Sequence, residues 1–216
     1  MSRSESGISS RYITTTLPVT WPKSRSETYR RITQSDVHTE SINIDTVFRK
    51  WTIEGPDSCY KQINRALLHD DHHSLSIHAN YINELRAAIK QNLSWEPIKV
   101  YRGLKFNSFS EDKIHVGMTF LWPTFSSTSR DRRVAKMFGS YLFEIEASSN
   151  DGTYRADISN YSQYQGEKEI LFYPYSGFRV KNFFNDAKVI QLECIDTLKV
   201  EASQKEFREN MPCSIQ

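Results

Sequence analysis

The chain has 216 residues, of which 38% are hydrophobic, 25% charged and 12% aromatic, a composition that supports one globular domain with a core of ordinary size. Its longest apolar runs are far shorter than the roughly 20 residues that a membrane-spanning helix needs, so no membrane span is expected. A net charge of +2 indicates no particular partner. Cys59, Cys194 and Cys213 are far apart and odd in number, which excludes a fully paired disulfide framework and gives no zinc-binding pattern.

Residues 1–45 form a predicted arm that is rich in serine, threonine and arginine and has no sustained hydrophobic period. Up to Arg31 the arm contains six basic residues and two acidic ones. A basic arm can contact nucleic acid or an acidic membrane. Solvated basic tails are common, however, and no folded nucleic-acid-binding motif accompanies this one. We therefore expect no nucleic-acid partner and treat the arm as a segment outside the folded domain that could be flexible.

Two amphipathic helices are predicted between Asp57 and Leu93. The first, in DSCYKQINRALL, starts from a potential N-cap at Asp57 and repeats apolar residues at Tyr60, Ile63 and Leu67. The second, in HANYINELRAAIKQNL, places its apolar residues on one stripe. The residues of that stripe are Tyr81, Leu85, Ala88, Ile89 and Leu93.

The segment HDDHHSLSIH, from His69 to His78, is predicted to be a polar connector, because the apolar stripe of the first helix stops at Leu68. His69 and His73 are four residues apart with two aspartates between them, a spacing compatible with metal ligands. No second, matching cluster of ligands occurs in the sequence. We therefore expect no metal.

The second half of the chain is rich in short aromatic and β-branched runs that predict strands. The predicted strands are IKVYRG (98–103), MTFLW (118–122), TFSSTS (124–129), YLFEIEA (141–147), EILFYP (169–174), FRVKNFF (178–184) and KVIQLECI (188–195). One helical stripe interrupts them in RDRRVAKMFGS, where Val134, Met137 and Phe138 are predicted to face the core. Helices followed by strands indicate an α+β domain with a mostly antiparallel sheet or sandwich, assigned to residues 46–200, with a tail at 201–216.

Arginine, glycine and hydroxyl side chains lie at two predicted strand ends. Arg102 ends an apolar strand and precedes Gly103; the guanidinium fork suits phosphate, and a glycine lets a ligand approach the backbone. The predicted strand at 124–129 ends in Ser127, Thr128 and Ser129. Ser129 could cap the helix that follows, but that role would leave Ser127 unexplained.

The third motif, YQGEKEILF, contains two glutamates at the start of an apolar run. Alternation along a strand predicts that Glu167 and Glu169 share one face. Like charges on one face repel each other unless a cation belongs between them. A single glutamate at such a position most often lies on the solvated edge of a strand. The two glutamates therefore indicate a functional site only in combination with the arginine and serine motifs before them.

In this order, the motifs resemble the R-S-E class of mono-ADP-ribosyltransferases, which includes arginine-modifying toxins and vertebrate ecto-enzymes. The matching segments are Tyr101-Arg102-Gly103, Ser127-Thr128-Ser129 and Tyr164-Gln165-Gly166-Glu167-Lys168-Glu169. The two predicted helices also resemble the family, so the resemblance spans about residues 50–197. It implies an α+β fold in which an N-terminal helical lobe packs on two mostly antiparallel sheets, with NAD in the cleft between them.

The resemblance implies that NAD is bound as a substrate by the first two motifs and by Glu169. Arg102 would hold a phosphate, and the Gly103 backbone would meet the nicotinamide carboxamide. Ser127 would orient the catalytic glutamate, with Thr128 and Ser129 on the same cofactor-binding strand.

The third motif then supplies the reaction. By the resemblance, Glu169 would bind the 2′-hydroxyl of the nicotinamide ribose and Glu167 would receive the acceptor arginine. Tyr164 would frame the acceptor, unless it only packs its own loop. Cleavage of the nicotinamide–ribose bond develops positive charge on the sugar, which a fixed carboxylate stabilises, while a second carboxylate can pair with a guanidinium and help remove its proton. The expected function is transfer of ADP-ribose from NAD to an arginine of a protein, with release of nicotinamide.

Two alternatives stay open at this point. With water as the main acceptor, the same site would make the chain an NAD glycohydrolase. A non-catalytic binding module could keep the fold and act through its basic arm, although every motif position is filled. The chain lacks the disulfides of the vertebrate ecto-enzymes, and its first residues lack the apolar region of a secretory signal. We therefore expect a cytoplasmic enzyme or a delivered effector.

Overall fold

The computed structural model describes residues 21–34, 42–55, 58–105 and 114–209, without the side chains of 204–209. The helices in these ranges are α1 (Glu27–Ile32), α2 (Ile44–Trp51), α3 (Cys59–His69), α4 (His72–Gln91), α5 (Arg132–Lys136) and α6 (Thr197–Glu209). The strands are β1 (Ile98–Leu104), β2 (Thr119–Trp122), β3 (Ser126–Ser129), β4 (Tyr141–Ala147), β5 (Arg155–Asp157), β6 (Glu169–Phe172), β7 (Ser176–Phe184) and β8 (Val189–Ile195). The predicted α+β class is confirmed, and β5 is the one described strand that was not predicted. Among the described helices, none has the length and apolar character that crossing a bilayer requires.

The strands form one hydrogen-bonded sheet in the order β2-β7-β8-β4-β1-β3-β6-β5. Neighbouring strands are antiparallel except β4 and β8, which are parallel. In the middle of this order, β1 and β3 are joined at a single residue pair, Tyr101 opposite Ser129. The two expected sheets therefore correspond to two halves of one sheet, β2-β7-β8-β4-β1 and β3-β6-β5, linked at that pair.

The two halves pack face to face over a shared apolar core. Phe172 on β6 and Phe178 on β7 are not on neighbouring strands, yet their ring centroids are 6.1 Å apart. Val100 and Phe143 are fully buried in the same core. Because Tyr101 and Ser129 join the halves, the predicted arginine and serine motifs meet at this junction.

Helices α1 to α4 form a lobe on the other face of β6, where Leu171 packs in a second core with Phe48, Trp51 and Leu85. The predicted stripes are confirmed, because their residues are buried or, for Leu93, partly buried. The amide of Asn64 on α3 donates a hydrogen bond to the carbonyl of Phe125 at 3.2 Å. The lobe thus holds the chain immediately before β3.

The predicted polar connector from His69 to His78 is wrong, because only Asp70 and Asp71 separate α3 from α4. Asp70 ends α3 with a left-handed backbone (φ 50°). The Asp71 carboxylate accepts hydrogen bonds from the backbone N–H groups of His73 and Ser74. This N-cap stabilises a helix start within a polar segment, which the hydrophobic pattern alone does not reveal.

The described part of the predicted arm packs on the domain. Tyr29 of α1 is 3% exposed and lies in the helical core, and the Trp21 ring is 4.3 Å from that of Phe120. Arg25 and Arg30 both donate hydrogen bonds at 2.8 Å to the Glu201 carboxylate on α6. Two of the arm's basic residues are therefore paired with a carboxylate of α6.

Candidate active site

A cleft of about 490 Å³ lies at the β1–β3 junction, bounded by the start of β6 and by α5. The residues that line it are Tyr101, Arg102, Gly103, Leu104, Ser127, Thr128, Ser129, Ala135, Phe138, Glu167 and Glu169. Seven of the eight site residues expected from the sequence are among them, brought from three separate segments of the chain. Tyr164, the eighth, does not line this cleft.

Arg102 is the buried cation of the cleft. Its side chain is 5% exposed, and its Nη1 donates a hydrogen bond to the Ser127 carbonyl at 2.6 Å. The guanidinium carbon lies 5.1 Å from the centroid of the buried Trp122 ring, a cation–π contact that fixes its orientation. Burial lowers the pKa of Arg102 to about 10, while the nearby Glu169 carboxylate acts in the opposite direction. Arg102 is therefore charged at neutral pH and held toward β3.

Gly103 lets α5 approach β1 at backbone distance. A Cβ at this position would lie 1.9 Å from the Ala135 carbonyl oxygen, far inside van der Waals contact. Gly139, just after α5, is equally confined, because a Cβ there would lie 2.0 Å from the carbonyl carbon of Leu104. The pair of glycines brings the α5 wall onto the arginine strand. The sequence did not single out Gly139 as a site residue, because a glycine after a short helix is most simply explained as the end of that helix.

The three hydroxyls of β3 that line the cleft, on Ser127, Thr128 and Ser129, have different surroundings. Thr128 donates a hydrogen bond to the Ile170 carbonyl at 2.8 Å, and Ser129 donates one to the Glu167 carbonyl at 2.7 Å. Ser127 is half-buried and faces Leu171 in the strand ladder, so that Ser129 is the residue directly opposite Glu169. The hydroxyls of Thr128 and Ser129 therefore hold β3 against the segment that carries Glu167 and Glu169.

The capping role considered for Ser129 belongs to another residue. The Asp131 carboxylate is the N-cap of α5 and accepts a hydrogen bond from the Arg133 N–H. Ser129 supports this cap indirectly, because its Oγ accepts a hydrogen bond from the Asp131 N–H at 2.9 Å. One serine thus links the start of α5 to the turn that carries Glu167.

The prediction that Glu167 and Glu169 share a strand face is wrong, although both line the cleft. Glu169 is the first residue of β6 and is fully buried. Glu167 belongs to a 3₁₀ turn, Gln165–Glu167, and is 5% exposed. Lys168 between them has a left-handed backbone (φ 48°), which breaks the strand alternation. The carboxylates therefore reach the cleft from two kinds of backbone.

The segment before the turn is anchored on the helical lobe. The Gln163 N–H donates a hydrogen bond to Thr52 Oγ1 at 3.2 Å, and the Tyr161 ring lies 5.2 Å from that of Phe48. Tyr164 is half-buried, and its carbonyl accepts a hydrogen bond from the Glu167 N–H at 2.9 Å. Tyr164 therefore takes part in building the turn, and its contact with an acceptor stays a prediction.

Phe138 lines the cleft, so its predicted place in the apolar core is wrong. Helix α5 ends at Lys136, so Phe138 lies beyond the helical stripe on which that prediction rested. Met137, from the same stripe, is 54% exposed, whereas Val134 is buried as predicted. Phe138 adds an aromatic side chain to a cleft whose lining also includes the aromatic Tyr101 and the apolar Leu104 and Ala135.

No group of three histidine, cysteine, aspartate or glutamate side chains is placed to hold a metal ion in the part of the chain that the structure describes. The cleft instead combines a buried arginine, two buried carboxylates, hydroxyls and an aromatic ring. Such a set can bind a phosphate-bearing ligand and stabilise positive charge that develops on it.

A family model described as ADP-ribosyltransferase exoenzyme matches residues 56–205. Vis toxin, an ADP-ribosyltransferase from Vibrio splendidus, is 23% identical over 82% of this chain and 90% of its own, with a TM-score of 0.60. The ADP-ribosyltransferase HopU1 of Pseudomonas syringae pv. tomato DC3000 is 21% identical, over 70% and 76% of the two chains, with a TM-score of 0.55. The eukaryotic mono-ADP-ribosyltransferase ART2.2 is 18% identical over 76% and 71%, with a TM-score of 0.54. No curated protein sequence matches the chain.

Proposed function

Since the chain belongs to the ADP-ribosyltransferase exoenzyme family, we propose that it cleaves NAD and transfers the ADP-ribose to an arginine of a protein. The observation that carries the proposal is the convergence of Arg102, Glu167 and Glu169 on one cleft. NAD is a substrate in this reaction, and no resident cofactor is required. Nicotinamide is the released product.

NAD is bound by Arg102, by the backbone at Gly103 and by Phe138, which follows α5. The Arg102 guanidinium pairs with a phosphate, because its burial excludes water that would compete for the anion. Gly103 lines the cleft, and in this account its backbone meets the nicotinamide carboxamide, while the close approach of α5 fixes the wall beside it. Phe138 offers a flat apolar surface on which the nicotinamide ring can stack.

Glu169 carries the bond-breaking step. As the bond from ribose C1′ to the nicotinamide nitrogen breaks, its electron pair goes to nicotinamide, which leaves neutral, and positive charge develops on the ribose. A buried carboxylate close to the 2′-hydroxyl stabilises that charge most in the transition state. Its position at the start of β6, opposite Ser129, keeps the carboxylate in place during the step.

Glu167 carries the transfer step. An incoming guanidinium pairs with its carboxylate. A nitrogen of the acceptor forms the new bond to C1′, and the proton it loses goes to Glu167. The 3₁₀ turn places this carboxylate beside Glu169 at the cleft.

Arginine as the acceptor is supported by two points. A carboxylate at position 167, rather than an amide, suits a cationic guanidinium. A structure of Vis has also been determined in complex with agmatine, a small molecule with the same guanidinium group. For the place of action, we favour a delivered effector over a cytoplasmic enzyme, because similar structures include a toxin and the type III effector XopAI.

The test is nicotinamide release from NAD by the full chain, measured with agmatine, with the diamine cadaverine, and without an acceptor. We expect agmatine to stimulate release and to become ADP-ribosylated, while cadaverine has no effect because it lacks the guanidinium. Release that ignores both compounds would identify water as the acceptor and the chain as an NAD glycohydrolase. No release at all would contradict the proposal.

A further inference from the structure

A second cavity lies at the opposite end of β6 from the candidate active site. It is open to solvent and is bounded by α1, α4 and the connection from β6 to β7; we call it the distal cavity. Tyr173 in its wall is four residues beyond Glu169, which is about 13 Å along an extended strand. Among the described residues, none lines both cavities.

Arg86 of α4 is the central cation of the distal cavity. Its guanidinium carbon lies 5.8 Å from the ring centroid of Tyr29 and 5.6 Å from that of Tyr173. Nη1 donates hydrogen bonds to Asn83 Oδ1 at 2.8 Å and to the Thr33 carbonyl at 3.5 Å. Within the described residues, no carboxylate forms an ion pair with Arg86. A half-buried guanidinium held between rings, with no carboxylate partner, keeps donor groups for an anion.

Lys90 lies one helical turn beyond Arg86, on the same face of α4, and also lines the cavity. It is exposed, and its Nζ lies 5.7 Å from the centroid of the Tyr154 ring. Of the acidic groups nearby, Glu201 is paired with two arginines. Asp196 also lines the cavity and accepts a hydrogen bond from the Leu198 N–H, which leaves its negative charge in place. The α4 wall itself carries two cations, Arg86 and Lys90.

An exposed aromatic surface adjoins these cations. Tyr154 is 39% exposed, and its ring packs 5.0 Å from that of Tyr173. The wall is also preformed, because the Tyr173 hydroxyl donates to the Arg86 carbonyl and the Asn83 amide donates to the Ile32 carbonyl at 2.7 Å. A rigid wall with two neighbouring cations and an open ring is suited to a ligand that joins phosphate to a planar base.

We propose that the distal cavity is a nucleotide-binding site, separate from the NAD cleft. Arg86 and Lys90 bind the phosphates, and the base stacks on Tyr154. This binding does not depend on the proposed transferase reaction, since no residue of the NAD cleft takes part in it.

The test is a calorimetric titration of the full chain with ADP. We expect two sites in the wild type, because the phosphates of ADP also suit Arg102. Lys90→Gln should weaken one site about tenfold through loss of a charge-assisted hydrogen bond, and Arg86→Gln should do the same or more. Arg102→Gln should remove the other site and leave the distal one. Arg65→Gln, which changes an exposed arginine of α3 outside the distal cavity, is the matched control and should change neither.

Two results would overturn the proposal. One is a wild-type titration whose affinity and stoichiometry are unchanged by both Lys90→Gln and Arg86→Gln, since Lys90 is exposed and its replacement should not disturb folding. The other is equal affinity of the distal site for pyrophosphate and ADP, because the base would then contribute nothing. Nicotinamide release by the Lys90→Gln variant should equal that of the wild type, so failure here is distinguishable from failure of the transferase proposal.

Discussion

Glu169 and Glu167 are two residues apart, yet they are held by different parts of the molecule. Glu169 is a fully buried strand residue that is paired in the ladder with Ser129. Glu167 lies on a 3₁₀ turn held by the Ser129 hydroxyl on one side and, through Gln163, by the helical lobe on the other. The carboxylate assigned to bond cleavage thus depends on the sheet, and the one assigned to the acceptor depends on a turn. The two steps should therefore respond separately to mutation.

The largest effect is expected for the strand-borne carboxylate. Glu169→Gln keeps the size of the side chain but removes the charge that stabilises the ribose cation, so nicotinamide release should fall about 10³-fold with or without agmatine. Glu193→Gln, which changes a partly exposed strand glutamate paired with Arg179, is the control and should keep wild-type release. Activity of Glu169→Gln within tenfold of wild type would contradict the assignment.

A smaller effect is expected for the bond that holds the turn. Ser129→Ala removes the hydroxyl that serves both the Glu167 carbonyl and the Asp131 N–H, at a cost of about 1–3 kcal/mol for the buried groups. Transfer to agmatine should fall about tenfold, and hydrolysis of NAD by less, because Glu169 keeps its strand. The comparison is with Ser126→Ala on the same strand, whose hydroxyl donates a hydrogen bond to the Thr124 carbonyl at 3.3 Å and to no other described residue. Equal losses in transfer and hydrolysis would argue against a separate role for the turn.

The smallest effect concerns the charge of Arg102. Because burial lowers its pKa to about 10, the guanidinium loses its proton as the pH rises through that value, and the KM for NAD should about double at pH 10. The unfolded chain, in which the pKa is ordinary, binds more protons above pH 10, so this group does not destabilise the fold as the pH rises. The measurement is KM from pH 8 to 10.5, with circular dichroism to confirm folding. A constant KM would contradict the loss of charge at Arg102 and would mean that the guanidinium stays protonated throughout this range.

Much of the fold was predictable because aromatic and β-branched runs are buried as strands. β5 was missed because its residues lie in a polar stretch, and a buried ion pair between Arg155 and Asp151, 1% and 3% exposed, lies at this strand. A pattern of hydrophobic residues carries no information about such a pair. Helix α1 was not predicted for the same reason, because its buried Tyr29 lies among serines and arginines and forms no hydrophobic pattern.

In the candidate site, residue types were predictable and backbone geometry was not. Arg102, Ser127 and the glutamates form ordered motifs, so their convergence could be expected. The left-handed backbone of Lys168 is uncommon for a residue other than glycine, and nothing in GEKE signals it. The position of Phe138 depends on where α5 ends, and helix ends are set by caps and close packing at Gly103 and Gly139, which sequence periodicity does not report.

The most direct test of the division between the two carboxylates is the ratio of agmatine transfer to NAD hydrolysis in Glu167→Gln. Transfer should fall about 10²-fold through loss of the proton acceptor and of the guanidinium's partner. Hydrolysis should stay within about threefold of wild type, because Glu169 and its strand are unchanged. If transfer and hydrolysis instead fall together, the two glutamates act as one unit, and the separation of cleavage from acceptor binding is wrong.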